Sequence, residues 1–148
     1  MSKIILLLCV CILFSEIAFS LKTGILSRLA HIRSVPRLFA VTEVTSPTAL
    51  DDVVKNAGEK LVVIDYSTTW CGPCKVMLPK FTELSNKYDG NVIFLKCIGD
   101  TSTEASQLMK REGVRSVPSF HFWKKGGKIE VVNGARIEEV EAAIQSNK

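Results

Sequence analysis

The chain has 148 residues and a formal net charge of +4, long enough for one ordinary domain plus an extension, because single cores most often hold roughly 100–150 residues. Residues 1–40 carry five basic side chains (Lys3, Lys22, Arg28, Arg33 and Arg37) against one acid, Glu16, which is the whole of the excess; residues 41–148 hold fourteen of each sign. That distribution excludes a strongly basic, nucleic-acid-binding body, and with the apolar excess confined to the first twenty residues the remainder has the composition of a soluble domain, not a membrane-embedded one.

Lys3 precedes an apolar run from Ile4 to Phe14, too short to span a bilayer but the length of a signal-peptide core. Residues 1–20 are therefore expected to be a removable signal peptide, with cleavage after Ala18 or after Ser20. A retained anchor is the competing reading, disfavoured because the run stops early and polar residues follow. The segment 21–41 holds Lys22, Arg28, Arg33, Arg37 and several Ser/Thr residues with no acid, which is transit-peptide composition. The pair of segments resembles the bipartite leaders of proteins bound for plastids with extra membranes, as in diatoms and other algae with secondary plastids, and Ala18-Phe19 resembles their cleavage context. This implies a plastid stroma; a secreted or endoplasmic-reticulum protein with a basic pro-segment is the alternative.

Residues 42–148 are expected to form one α/β domain, because helical and strand-like patterns alternate along them. Ser46-Pro47-Thr48 opens a helix to about Asn56. Leu61–Tyr66 is a nearly continuous apolar run, as in a central strand buried on both faces. Val76, Met77, Leu78, Phe81, Leu84 and Tyr88 then recur at helical spacing, with Pro79 inside the helix and Asp89-Gly90 ending it. Asn91–Cys97 reads as the next strand, residues 103–112 as a helix, Ser119–Lys124 and Lys128–Val132 as a hairpin around Gly126-Gly127, and Ile137, Val140, Glu141 and Ile144 as the stripe of a last helix.

The chemistry is concentrated in Trp70-Cys71-Gly72-Pro73-Cys74. A cysteine at the start of a helix lies among unpaired N–H groups and at the positive end of the helix dipole, which favours thiolate over thiol. The Cys71 pKa is expected to fall toward roughly 7 from ~8.5 for a free thiol, which makes Cys71 the nucleophile. Cys74 lies one turn further on, close enough for a disulfide with Cys71 and more shielded, as the resolving thiol. Tetrahedral structural zinc takes four ligands, and no second Cys-x-x-Cys accompanies this one; Cys97, His121 and His31 are not at ligand spacing. No metal and no cofactor beyond the redox-active Cys71–Cys74 pair is expected. A purely structural disulfide would not call for Trp before the pair or Gly-Pro within it.

The motif resembles the active site of the thioredoxin family, and the resemblance extends over about residues 43–145. It implies the thioredoxin fold, a central mixed β-sheet flanked by helices, and protein-disulfide reductase activity in a monomer. Asp65 matches the family's buried acid, which is thought to help deprotonate the resolving cysteine, and Lys96 the basic residue that accompanies it. Val117-Pro118 resembles the cis-proline loop facing the disulfide, Gly134 the glycine lining the substrate groove, and Pro79 the kink proline. Trp70, Gly72 and Pro73 join Val117, Pro118 and Gly134 as implied substrate-binding residues. Taken singly, Asp65 is equally a strand-end acid, Lys96 an edge charge and Pro118 a turn breaker; together with the cysteines at family spacing they are far more specific.

Glu59–Val63, Cys74-Lys75-Val76-Met77, Glu83–Tyr88 and Asn133-Gly134-Ala135 look most like the f-type thioredoxins of chloroplasts. That likeness implies ferredoxin–thioredoxin reductase as electron donor and proteins with regulatory disulfides as targets. The f type usually has a third cysteine three residues after the strand lysine, whereas Cys97 directly follows Lys96 and reads as a buried thiol. Two other readings remain: a secretory thiol oxidase or isomerase, against which Pro73 argues because oxidising members more often carry His there, and a docking module, which would not need both cysteines.

Overall fold

The structure, a computed structural model, describes residues 41–148. The expected signal peptide and nearly all of the transit-like segment lie outside the described residues. Val41, placed by composition at the end of that segment, is instead the first residue of β1 (Val41–Glu43). Three residues are too few to show a strand period, so this strand was not legible from pattern.

The elements that follow are α1 (Pro47–Asn56), β2 (Leu61–Ser67), α2 (Gly72–Lys87), β3 (Val92–Ile98), α3 (Thr103–Arg111), β4 (Ser119–Lys124), β5 (Gly127–Asn133) and α4 (Ile137–Asn147). The starts of α1 and α3 are chemically marked. The Ser46 hydroxyl accepts the Ala49 N–H at 3.2 Å with Pro47 in the first turn, and the Ser102 hydroxyl accepts the Ala105 N–H at 3.0 Å. Each satisfies a donor that the first turn leaves without a helical partner.

The five strands form one sheet in the order β1-β3-β2-β4-β5. β1, β3 and β2 are parallel, β4 runs antiparallel to β2, and β5 runs antiparallel to β4 and so in the same direction as the first three. This is the expected mixed sheet with helices on both faces. β2 lies at its centre, and six of its seven residues are buried. Leu61 and Val63 pack with Met77, Phe81, Phe120 and Ile144 on one face; Val62, Ile64 and Tyr66 pack with Leu50, Leu95, Cys97 and Leu108 on the other. A strand buried on both faces is what the unbroken apolar run requires.

The β4–β5 hairpin differs from expectation by one residue. Its two loop residues are Lys125 and Gly126, both at positive φ (52° and 80°), and Gly127 already pairs with Lys124. A two-residue loop twisted to match its strands needs positive φ at both positions. Lys125 adopts it where the sequence pattern favoured the second glycine.

Candidate active site

The end of β2 feeds the site. After Ser67 the chain makes a short loop and enters α2, with Cys71 as its N-cap residue. Two backbone bonds shape this loop: Cys71 N–H donates to Thr68 O at 3.2 Å, and Gly99 N–H donates to Ser67 O at 2.9 Å. A third anchor comes from the β3–α3 loop. The Asp100 carboxylate accepts the Thr69 N–H at 2.9 Å and also the Thr69 hydroxyl. These bonds, the hydroxyl first, hold the Asp100 pKa below its ordinary value.

Cys71 and Cys74 form a disulfide with Cα atoms 5.4 Å apart. The Cys74 N–H donates to the Cys71 sulfur at 3.2 Å, so the sulfur occupies the position where a helix N-terminus offers its free amides. Both cysteines are 4% exposed; the expected greater shielding of Cys74 does not show in the disulfide form. Trp70, by contrast, is 73% exposed beside the pair, while Gly72 and Pro73 form the first turn of α2.

Asp65 and Cys74 line one cavity of about 160 Å³, together with Thr68, Lys75, Leu78 and Lys96. Asp65 is 2% exposed and its Oδ1 atom has no hydrogen-bond partner. Burial pushes its pKa up to about 7, against the pull of Lys96 in the other direction. Lys96 is Asp65's register partner across β2 and β3, yet its ammonium is bonded to Glu43 on β1 at 3.1 Å.

The peptide bond between Val117 and Pro118 is cis. Pro118 immediately precedes β4, whose first residue Ser119 stands opposite Tyr66 of β2 and Asn133 of β5. The cis-proline therefore lies at the sheet end where the loop to Cys71 begins. Gly134 follows at the end of β5, and its N–H donates to Pro118 O at 2.8 Å. Its φ of 89° is one that side chains rarely adopt, which is why glycine stands there.

The structure thus brings Asp65, Cys74 and Lys96 to one cavity and joins Pro118 to Gly134. Glu43, Thr69 and Asp100 were not singled out from sequence. Only strand register and loop closure reveal them, although an acid in the loop after β3 was a signal open to use. Among the described residues there is no cluster of three or more His, Cys, Asp or Glu side chains arranged to hold a metal ion. Among the same residues no helix is long and apolar enough to cross a membrane.

The thioredoxin family model matches residues 41–146. The chain belongs to the thioredoxin family. It is similar to thioredoxin from Homo sapiens, 45% identical over 105 residues that cover 70% of this chain and 95% of that protein. It is equally similar to chloroplastic thioredoxin F1 from Arabidopsis thaliana, 46% identical over 106 residues. That match covers 72% of this chain and 57% of the Arabidopsis protein, so it spans little more than half of the chloroplastic relative. Among solved structures it resembles a chain of the complex between ferredoxin:thioredoxin reductase and thioredoxin f2, at 43% identity and a TM-score of 0.65, covering 72% of this chain and 93% of that one.

Thioredoxins are protein disulfide oxidoreductases, and this chain carries its cysteine pair at disulfide distance. The remaining cysteine of the domain behaves differently. Cys97 is fully buried, and burial pushes its thiol up to about 11, with Glu43 and Asp65 acting in the same direction. It is the buried thiol expected from its place directly after Lys96.

Proposed function

We propose that this thioredoxin reduces regulatory disulfides of target proteins in a plastid stroma, acting as a monomer that draws its electrons from ferredoxin–thioredoxin reductase. In the reduced protein the Cys71 thiolate attacks a target disulfide, forming a mixed disulfide and expelling one target thiolate, which takes up a proton. Cys74 then gives its proton to the Asp65 carboxylate across their shared cavity and attacks the Cys71 sulfur. The second target sulfur leaves as a thiolate and collects that proton. Two electrons and two protons have passed to the target, and the Cys71–Cys74 bond is closed. Trp70, Gly72, Pro73, Val117, Pro118 and Gly134 form the surface on which the target chain lies. No cofactor beyond the cysteine pair is used.

The observation that carries the chemistry is the disulfide at the start of α2 above a cavity holding a buried, unpartnered carboxylate. The plastid assignment is supported by the acid-free basic segment behind the apolar leader and by likeness to chloroplastic thioredoxin F1. The donor is supported by likeness to a chain of the reductase complex.

The test is turnover with purified ferredoxin–thioredoxin reductase and a protein carrying a regulatory disulfide. Residues 41–148 should be reduced by the reductase and pass electrons on; Cys71→Ser should abolish transfer, and Cys74→Ser should accumulate mixed disulfides. Steady turnover by Cys71→Ser would remove the mechanism, and no reduction by the reductase would remove the donor. A fluorescent fusion of residues 1–41 that is secreted by an alga with a complex plastid would remove the localisation.

A further inference from the structure

Strand register places three charged residues abreast. Glu43 of β1 pairs with Lys96 of β3, and Lys96 pairs with Asp65 of β2. Residues in register on adjacent strands share a face of the sheet, roughly 5 Å apart. The row reads acid, base, acid, running from the half-exposed edge to the buried centre, and it continues through Phe120 of β4 and Val132 of β5 without another charge.

The single cation is not shared evenly. The Lys96 ammonium is bonded to Glu43 at 3.1 Å, while Asp65 Oδ1 has no partner. Lys96 also lines the cavity that holds Asp65 and Cys74, and its charge acts on Asp65, drawing its pKa down. Lys75 and Cys74, from α2, are the other titratable groups lining that cavity. Cys97, the neighbour of Lys96 in β3, is a fully buried thiol.

We infer that Glu43 is a positioning residue for the proton transfer: by holding and neutralising the Lys96 ammonium, it keeps Asp65 receptive to the Cys74 proton. A cation paired with one carboxylate stabilises ionisation of a second less than a free cation does. With Glu43 in place, Asp65 titrates in the neutral range. With Glu43 made neutral, the undivided charge of Lys96 acts on Asp65, which becomes a weaker base at physiological pH. The inference rests on the reading of Asp65 as the acceptor of the Cys74 proton.

The test is a carbon-13 NMR titration of the Asp65 carboxyl in the oxidised protein, comparing wild type with Glu43→Gln, Lys96→Met and the double variant. Glu43→Gln should lower the Asp65 midpoint by roughly half a pH unit, less than the ~1–3 units of a charge in direct contact. Lys96→Met should raise it, and adding Glu43→Gln to Lys96→Met should change nothing further. Glu43 lies on a short, partly exposed strand, and unaltered carboxyl-region spectra away from the site would show that the variant is folded. An unmoved midpoint in folded Glu43→Gln, or an equal fall with Lys96 already absent, would overturn the inference. Asp65→Asn separates this from the underlying reading. If the rate at which Cys74 resolves a mixed disulfide keeps its pH dependence in Asp65→Asn, the base role is lost and with it the role of Glu43. If that dependence disappears while Glu43→Gln leaves the midpoint unmoved, only Glu43 is removed from the mechanism.

Discussion

Asp65 and Lys96 face each other in register across two parallel strands, yet the lysine is bonded to Glu43 and the aspartate lies buried without a hydrogen-bond partner on Oδ1. A buried carboxylate in this condition works against the fold whenever it is ionised. Its pKa of about 7 in the folded protein stands above the ordinary 3.8, so between those values the folded chain keeps a proton that the unfolded chain has lost. Stability therefore declines as pH rises from about 4 to about 7 and stays reduced above that. Asp65→Asn should raise stability at pH 8 by on the order of 4 kcal/mol, from three pH units of linkage, and should bring no gain at pH 3.5. Urea unfolding at the two pH values checks this.

Asp100 and Thr69 provide a second prediction. Asp100→Ala removes the side-chain bonds that tie Thr69, before Trp70 and Cys71, to the β3–α3 loop and leaves the Gly99–Ser67 backbone bond in place. Insulin-disulfide turnover should fall by between about twofold and tenfold, short of the ~100-fold that a 1 Å misplacement can bring. Because the Asp100 carboxylate titrates below its ordinary value, the tether is complete at neutral pH and its contribution is lost as pH falls through that lowered value. Turnover of wild type and Asp100→Ala measured side by side at pH 7 checks the size of the effect.

Cys97 should be chemically silent in the folded protein. Its thiol is fully buried and pushed up to about 11, and only the thiolate is an efficient nucleophile. Iodoacetamide added to reduced protein at pH 8 should label Cys71 and leave Cys97 unmodified until denaturant is added. Mass spectrometry of peptides before and after unfolding reads the outcome.

The buried carboxylate of Glu112 takes Lys128 of β5 at 2.9 Å and Arg111 at 2.9 Å, and Arg111 also bridges to Asp51 of α1. Lys128→Met should destabilise the domain by roughly 1–2 kcal/mol, less than the ~3–5 kcal/mol of a fully buried pair, because Arg111 still compensates the acid. Thermal unfolding at neutral pH checks it.

What the sequence made legible was what local pattern determines. The run Leu61–Tyr66 announced a strand buried on both faces, and Cys71 before Gly72-Pro73 announced a thiol at a helix start. The polar start at Ser46 marked α1 to the residue. The boundaries of β1 and the loop at Lys125-Gly126 were not legible, the first because three residues carry no period, the second because Lys125 accepts a conformation its type seldom adopts. Asp65 and Lys96 were placed at the site by family resemblance. The preference of Lys96 for Glu43 depends on the register of two strands more than fifty residues apart, which no pattern within one strand records. The Asp100 tether depends instead on how two loops 31 residues apart close on each other, so the acid after β3 was visible in the sequence but its partner Thr69 was not.

The central claim is that the Cys71–Cys74 pair donates electrons to target disulfides. Its most direct test is the midpoint potential of that couple in residues 41–148, by redox titration against a dithiol buffer at pH 7. A value near that of thioredoxin, about −270 mV, is expected. A value near that of protein disulfide isomerase, about −180 mV, would contradict the claim and make the protein a thiol oxidase.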